Sequence, residues 1–197
     1  MISKDIKINK EKKFISSRAG FTLVEAMFAV FILTFVITGL MTVVANSLFA
    51  ARYSKDEITA NYLSQEVIDY IRNDRDTTVL LQNTLTPDEA WTNFWIKYSA
   101  CSVSSGGCSL HITQNTNTIS QDCNSSGCPY LYYDENATSN SFYTYTSSGN
   151  KITKFQRKIV VSKNSVNSDE IDVVVTVSWK NGGANRTRVL ETSFLRY

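Results

Sequence analysis

Residues 26–45 read AMFAVFILTFVITGLMTVVA, twenty consecutive positions without a charge or a proline. At about 1.5 Å of rise per residue such a helix covers roughly 30 Å, the thickness of a bilayer core. A secretory signal peptide has an apolar part of roughly 7–15 residues that ends at a small-residue cleavage site. This run is longer, lacks an A-x-A break, and passes into SLFAARYSKDEITANYLSQEVIDYIRNDRD, residues 47–76, where helical spacing continues. The reading is a membrane span over about 26–45 inside one helix expected over 21–73, about 80 Å if unbroken. In its outer part Ile58, Tyr62, Val67 and Ile71 are assigned to one face, with Lys55, Asp56, Glu57, Gln65, Glu66, Asp69 and Arg72 mainly elsewhere. An amphipathic half of this kind needs something to cover it.

Charge divides the chain at about residue 20. The first twenty residues carry Lys4, Lys7, Lys10, Lys12, Lys13 and Arg18 against Asp5 and Glu11, whereas the whole chain has a net charge of only +2. By the positive-inside rule this basic leader stays in the cytoplasm and the C-terminal portion is exported. With charged residues at 19% and no basic excess beyond the leader, nothing signals direct nucleic-acid binding through phosphate neutralisation. All four cysteines, Cys101, Cys108, Cys123 and Cys128, fall in one Ser/Gly/Asn-rich stretch. That favours disulfides and a compartment outside the cytoplasm, in agreement with the orientation set by charge. Zinc is the competing reading, but its ligands usually come as CxxC pairs, and these intervals are longer. Local bridges Cys101–Cys108 and Cys123–Cys128 are preferred among the three connectivities four cysteines permit.

Glu25 stands at the edge of the apolar run. A carboxylate there costs free energy unless paired, which marks it as a functional candidate. A helix-start glutamate beside the headgroups, favoured by the helix dipole, is the plainer explanation. Its neighbours decide between the two. Ser17-Arg18-Ala19-Gly20-Phe21-Thr22-Leu23-Val24-Glu25 resembles the type IV prepilin signal, a basic leader ending in Gly followed by FTLVE and a hydrophobic helix; the resemblance covers residues 14 to about 73.

The resemblance implies that a prepilin peptidase removes residues 1–20 by cutting between Gly20 and Phe21, and that the Phe21 amine is then methylated. It implies partners as well: other pilin or pseudopilin subunits, an inner-membrane assembly platform, and the lipid bilayer before assembly. Cleavage places an ammonium four residues, about one helical turn, from Glu25. Desolvated together, the two recover their lost hydration only through a close partner, so Glu25 is assigned to subunit registration. Many major pilins carry a proline about two-thirds of the way along this helix. Here that neighbourhood has only Gly39 and Thr42, as in minor pilins and secretion pseudopilins. Thr34, Thr38 and Thr42 either form a small-residue packing stripe with Gly39 or bond back to their own helix.

The remainder, 74–197, reads as an exported α+β head with disulfide-stapled loops over about 99–130. Thr86, Pro87, Asp88 and Glu89 open a capped short helix. Trp91, Phe94 and Trp95 have the helical spacing of core residues, with a surface-binding platform as the alternative. Ile171, Val173, Val175, Val177 and Trp179 alternate with Asp172, Val174, Thr176, Ser178 and Lys180, the signature of a half-buried strand. Asn181-Gly182-Gly183 turns the chain into a returning strand over 186–195, and 152–162 reads as a third. Shorter aromatic strands are expected at 130–133 and 142–146. The fold expected is α+β: a pilin-like lollipop whose long N-terminal helix, transmembrane in its first half, packs on a small antiparallel sheet. The alternating strand and hairpin return look like accessory pilins and pseudopilins of the PilV and GspI type.

No catalytic motif is present: no P-loop, no HExxH, no G-x-S-x-G. His111, the single histidine, lies in an alternating strand beside a cysteine pair and reads as a surface or satisfied side chain. Asp122, Asp134 and Glu135 lack the spacing of a calcium loop, so neither metal nor cofactor is expected. The functional expectation is a minor pilin or pseudopilin, a structural subunit of a type IV pilus or type II secretion-like filament. It is held in the inner membrane, N-terminus in the cytoplasm, before assembly. The alternative is a membrane-anchored extracellular binding or adhesion domain that does not polymerise, and an exported enzyme ranks third.

Overall fold

The computed structural model describes residues 20–81, 85–112, 118–120, 123, 127–135 and 143–196; the basic leader up to Ala19, Asp122 and Phe142 lie outside them. Helix α1 runs Leu23–Leu81 and α2 Pro87–Ser99. The strands are β1 Ser109–His111, β2 Thr118–Ser120, β3 Tyr130–Tyr133, β4 Tyr143–Thr144, β5 Lys151–Lys163, β6 Glu170–Asn181 and β7 Ala184–Leu195. Two compact units divide the chain, Met1–Phe49 and Ala50–Tyr197. The class is α+β, an apolar N-terminal helix and a small antiparallel sheet, as the sequence implies.

In the first unit α1 is apolar on every side, and none of its bilayer-length apolar window is buried. The hydroxyls of Thr34, Thr38 and Thr42 donate to the carbonyls of Phe31, Thr34 and Thr38 at 2.8, 2.7 and 3.1 Å. Each hydroxyl bonds to its own helix, the second of the two readings of the threonine series.

In the second unit α1 has a single buried stripe: Ala60, Leu63, Val67, Ile68 and Ile71. Ile58 and Tyr62, expected on that face, are instead 55% and 68% exposed. The cause is the helical period. At about 100° per residue the five-residue step from Tyr62 to Val67 turns about 140°, putting the two pairs on opposite faces. The helix also runs to Leu81, past the expected boundary at 73. Asp74 in that extension accepts from Lys97 Nζ at 2.7 Å and from the Tyr98 hydroxyl at 3.0 Å. Burial, reinforced by Asp74, pushes the Tyr98 phenol far up, so it remains a donor.

The stripe packs on a five-stranded antiparallel sheet of order β4-β3-β5-β6-β7. The sequence places β5, β6 and β7 in that sheet; β3 and β4 join it as an extension, and β1 pairs with β2 separately. On β6 the inward residues Ile171, Val173, Val175 and Val177 are fully buried and Trp179 nearly so. Gly182 and Gly183, at φ 58° and 85°, form the two-residue β6–β7 turn, a conformation matched to strand twist that glycine adopts without strain. On β5 the same alternation carries Arg157 into the interior. Its guanidinium donates to Glu66 Oε2 (2.7 Å), the Leu63 carbonyl (3.1 Å) and the Leu110 carbonyl (3.2 Å), fastening α1 and β1 to the sheet. Burial opposes that charge, but Tyr145 and Glu66 outweigh it and the guanidinium stays protonated.

Helix α2 opens with a capping box: Thr86 Oγ1 accepts from the Glu89 amide, and the Glu89 carboxylate accepts from the Thr86 amide at 2.8 Å. Trp91 and Phe94 enter the core with Tyr98, and Trp95 packs partly buried against it, so the aromatic series serves packing.

Candidate functional site

The candidate site is the start of α1. Thr22 is the residue before its first turn. Its hydroxyl accepts from the Glu25 amide at 3.2 Å, and its carbonyl accepts from the Ala26 amide at 3.2 Å. Thr22 therefore caps the helix and Glu25 occupies the third helical position, an acid in the first turn as the helix dipole favours. The Thr-x-x-Glu spacing that announces such a cap is present in Thr22–Glu25.

Two features show that the segment's composition is not required by the chain's own packing. Gly20 has no positive φ, and a Cβ placed there meets no atom within 4 Å. Among the described residues nothing opposes a side chain there, so they give no packing reason for a glycine at this position. Phe21 is 76% exposed, and Leu23, Val24, Met27 and Phe28 are all more than half exposed. Glu25 has no ion-pair partner among the described residues. What the arrangement offers is an accessible Gly20–Phe21 bond, a capped helix behind it, and a carboxylate one turn in, followed by an apolar surface without cover among the described residues.

The remaining sites expected from the sequence lie in the second unit and serve architecture. Cys101 is bonded to Cys108 and Cys123 to Cys128, the local pairing. The first bridge is inside the core, and Cys108 makes an antiparallel bridge to Ile159 of β5. The His111 ring lies 4.5 Å from that of Tyr145. Among the described residues no three His, Cys, Asp or Glu side chains are grouped to hold a metal.

Residues 15–41 match a family model described as the prokaryotic N-terminal methylation motif, a span containing Gly20, Phe21 and Glu25. The match supports a type IV pilin-like precursor, and with the apolar helix it supports a membrane-anchored protein. Neither the curated proteins nor the solved structures provide a match to the chain.

Proposed function

We propose that this chain is a minor pilin or pseudopilin, a structural rather than catalytic subunit of a type IV pilus or type II secretion-like filament. The observation that carries the reading is the methylation motif joined directly to a helix whose apolar surface is left uncovered by the described residues. A prepilin peptidase hydrolyses the Gly20–Phe21 bond on the cytoplasmic face, and the new Phe21 amine accepts a methyl group. Lipid covers Leu23 to Phe49 first, and the helices of neighbouring subunits replace it in the filament. In that drier setting the amine of one subunit and Glu25 pair within the chain or between neighbours, and a subunit docked out of step leaves a charge alone. The assembly platform in the inner membrane drives the transfer.

The test is Gly20→Val. A bulkier residue is accommodated by the chain, so the variant is expected to accumulate, folded, at precursor size with residues 1–20 still attached. A normally shortened product overturns the assignment. The second reading, a tethered ectodomain that does not polymerise, draws on the self-contained core of residues 50–197. It is separated by whether the leader is removed at all.

A further inference from the structure

The second unit has an uneven distribution of paired charge. Tyr53, Asp56 and Glu57 of α1 lie beside the β6–β7 hairpin: Arg186 stacks over the Tyr53 ring at 5.4 Å, and Asp56 accepts from Asn181 at 3.1 Å. This is the end at which the chain arrives from the apolar segment, since the unit begins at Ala50. Two cations here have carboxylate partners, Lys154 with Asp56 at 2.6 Å and Arg188 with Glu57 at 3.9 Å. Arg52, Lys55, Lys180 and Arg186 are exposed and have none among the described residues. Across the sheet Lys151 is opposite Tyr133 in the register, and Asp134 and Glu135 follow Tyr133 directly.

The opposite end is different. There Arg196 sits between Asp88 (2.6 Å) and Asp169 (3.4 Å), Lys97 bonds Asp74 (2.7 Å), and Arg75 bonds Asp76 (2.8 Å). At the far end the exposed Lys163 lies over the Trp95 ring at 5.0 Å without a carboxylate partner among the described residues, and the other cations named there are neutralised locally, whereas the hairpin end leaves Arg52, Lys55, Lys180 and Arg186 for something outside the unit.

From this we infer that Arg52, Lys55, Lys180 and Arg186 form a basic collar that docks on anionic phospholipid headgroups while the subunit waits in the membrane. The inference rests on the membrane-held stage of the proposed function. Arg52 and Lys55 follow the apolar run by only seven and ten residues, which keeps them near the interface. Tyr53 is one of the aromatic types that anchor at that depth. The hairpin adds Lys180 and Arg186 at the same level of α1. Basic side chains near an anionic surface are attracted over about a Debye length, so the contact is salt-sensitive. The collar holds the exported unit against the bilayer and must be released on extraction.

The experiment is hydrogen exchange of the full chain in lipid nanodiscs, either phosphatidylcholine alone or with phosphatidylglycerol added. Amides of the β6–β7 turn are expected to exchange at least about five-fold more slowly in the anionic discs, an effect lost at high salt. Lys180→Gln with Arg186→Gln is expected to abolish the difference, and Arg72→Gln at the far end to leave it intact. If the hairpin pair disturbs exchange in the core, Arg52→Gln with Lys55→Gln decides instead. Equal exchange in the two membranes overturns the proposal. So does slowing that follows protein density rather than lipid charge, which assigns the collar to another subunit, or slowing reproduced in neutral discs by inorganic phosphate. These outcomes are independent of leader removal, so failure here and failure of the filament reading are distinguishable.

Discussion

Helix α1 places two kinds of helical surface on one stretch of backbone. From Leu23 to Phe49 its large side chains are exposed on all sides; from Ala50 onward the same helix has one face with Ala60, Val67 and Ile71 at 0% exposure against the sheet. The second half is stabilised by the chain's own core. The first half has no such partner among the described residues, and its apolar area leaves water when lipid or other helices are supplied. One region therefore encodes folding and the other encodes surroundings. Substitutions in the two halves should separate accordingly.

The largest separation is expected at Glu25. Glu25→Ala should leave leader removal and the thermal midpoint of the exported unit unchanged while reducing incorporation into filaments at least tenfold, scored on sheared filament fractions. Assembly at the wild-type level returns Glu25 to the role of a helix-start acid. The next contrast concerns folding itself. Ile171→Ala in the core should destabilise by about 2–5 kcal/mol, and Leu33→Ala in the apolar segment should change denaturation of the exported unit by less than about 0.5 kcal/mol. Equal effects would mean that the two halves are not energetically separate. Replacing Cys101 and Cys108 by Ser should cost about 2 kcal/mol, the loop-closure scale for a seven-residue separation, with no effect on maturation.

The smallest effect is at the α2 cap, where Thr86→Ala should cost about 1 kcal/mol. The backbone and side chain of Thr86 lower the Glu89 pKa from 4.5. Because the folded value is depressed, the cap's contribution is complete above pH 4.5 and fades as pH falls through the lowered value. Acid titration of wild type should show that loss, and Glu89→Gln should flatten it.

Local features were legible in the sequence and non-local ones were not. The Gly20–Glu25 segment and the apolar run are contiguous, and the alternation of Ile171 to Trp179 is strictly two-residue, so each declares itself over a short window. The helical face was misjudged because Tyr62 to Val67 is a five-residue step, and the buried stripe is chosen by the sheet it meets. Arg157 shows both sides of this. It stands in phase with Phe155, Ile159 and Val161, which points it inward, but its charge argues outward, and only the distant acceptors Glu66, Leu63 and Leu110 reconcile the two. Likewise β3 and β4 join the main sheet through pairings set by neighbours 10 to 26 residues away rather than by their own composition.

The most direct measurement is the mass of the N-terminal peptide from the native protein, taken from cells with intact filament machinery. A peptide beginning at Phe21 and carrying one extra methyl group is the expected result. A peptide beginning at Met1, with the basic leader still attached, contradicts the filament reading.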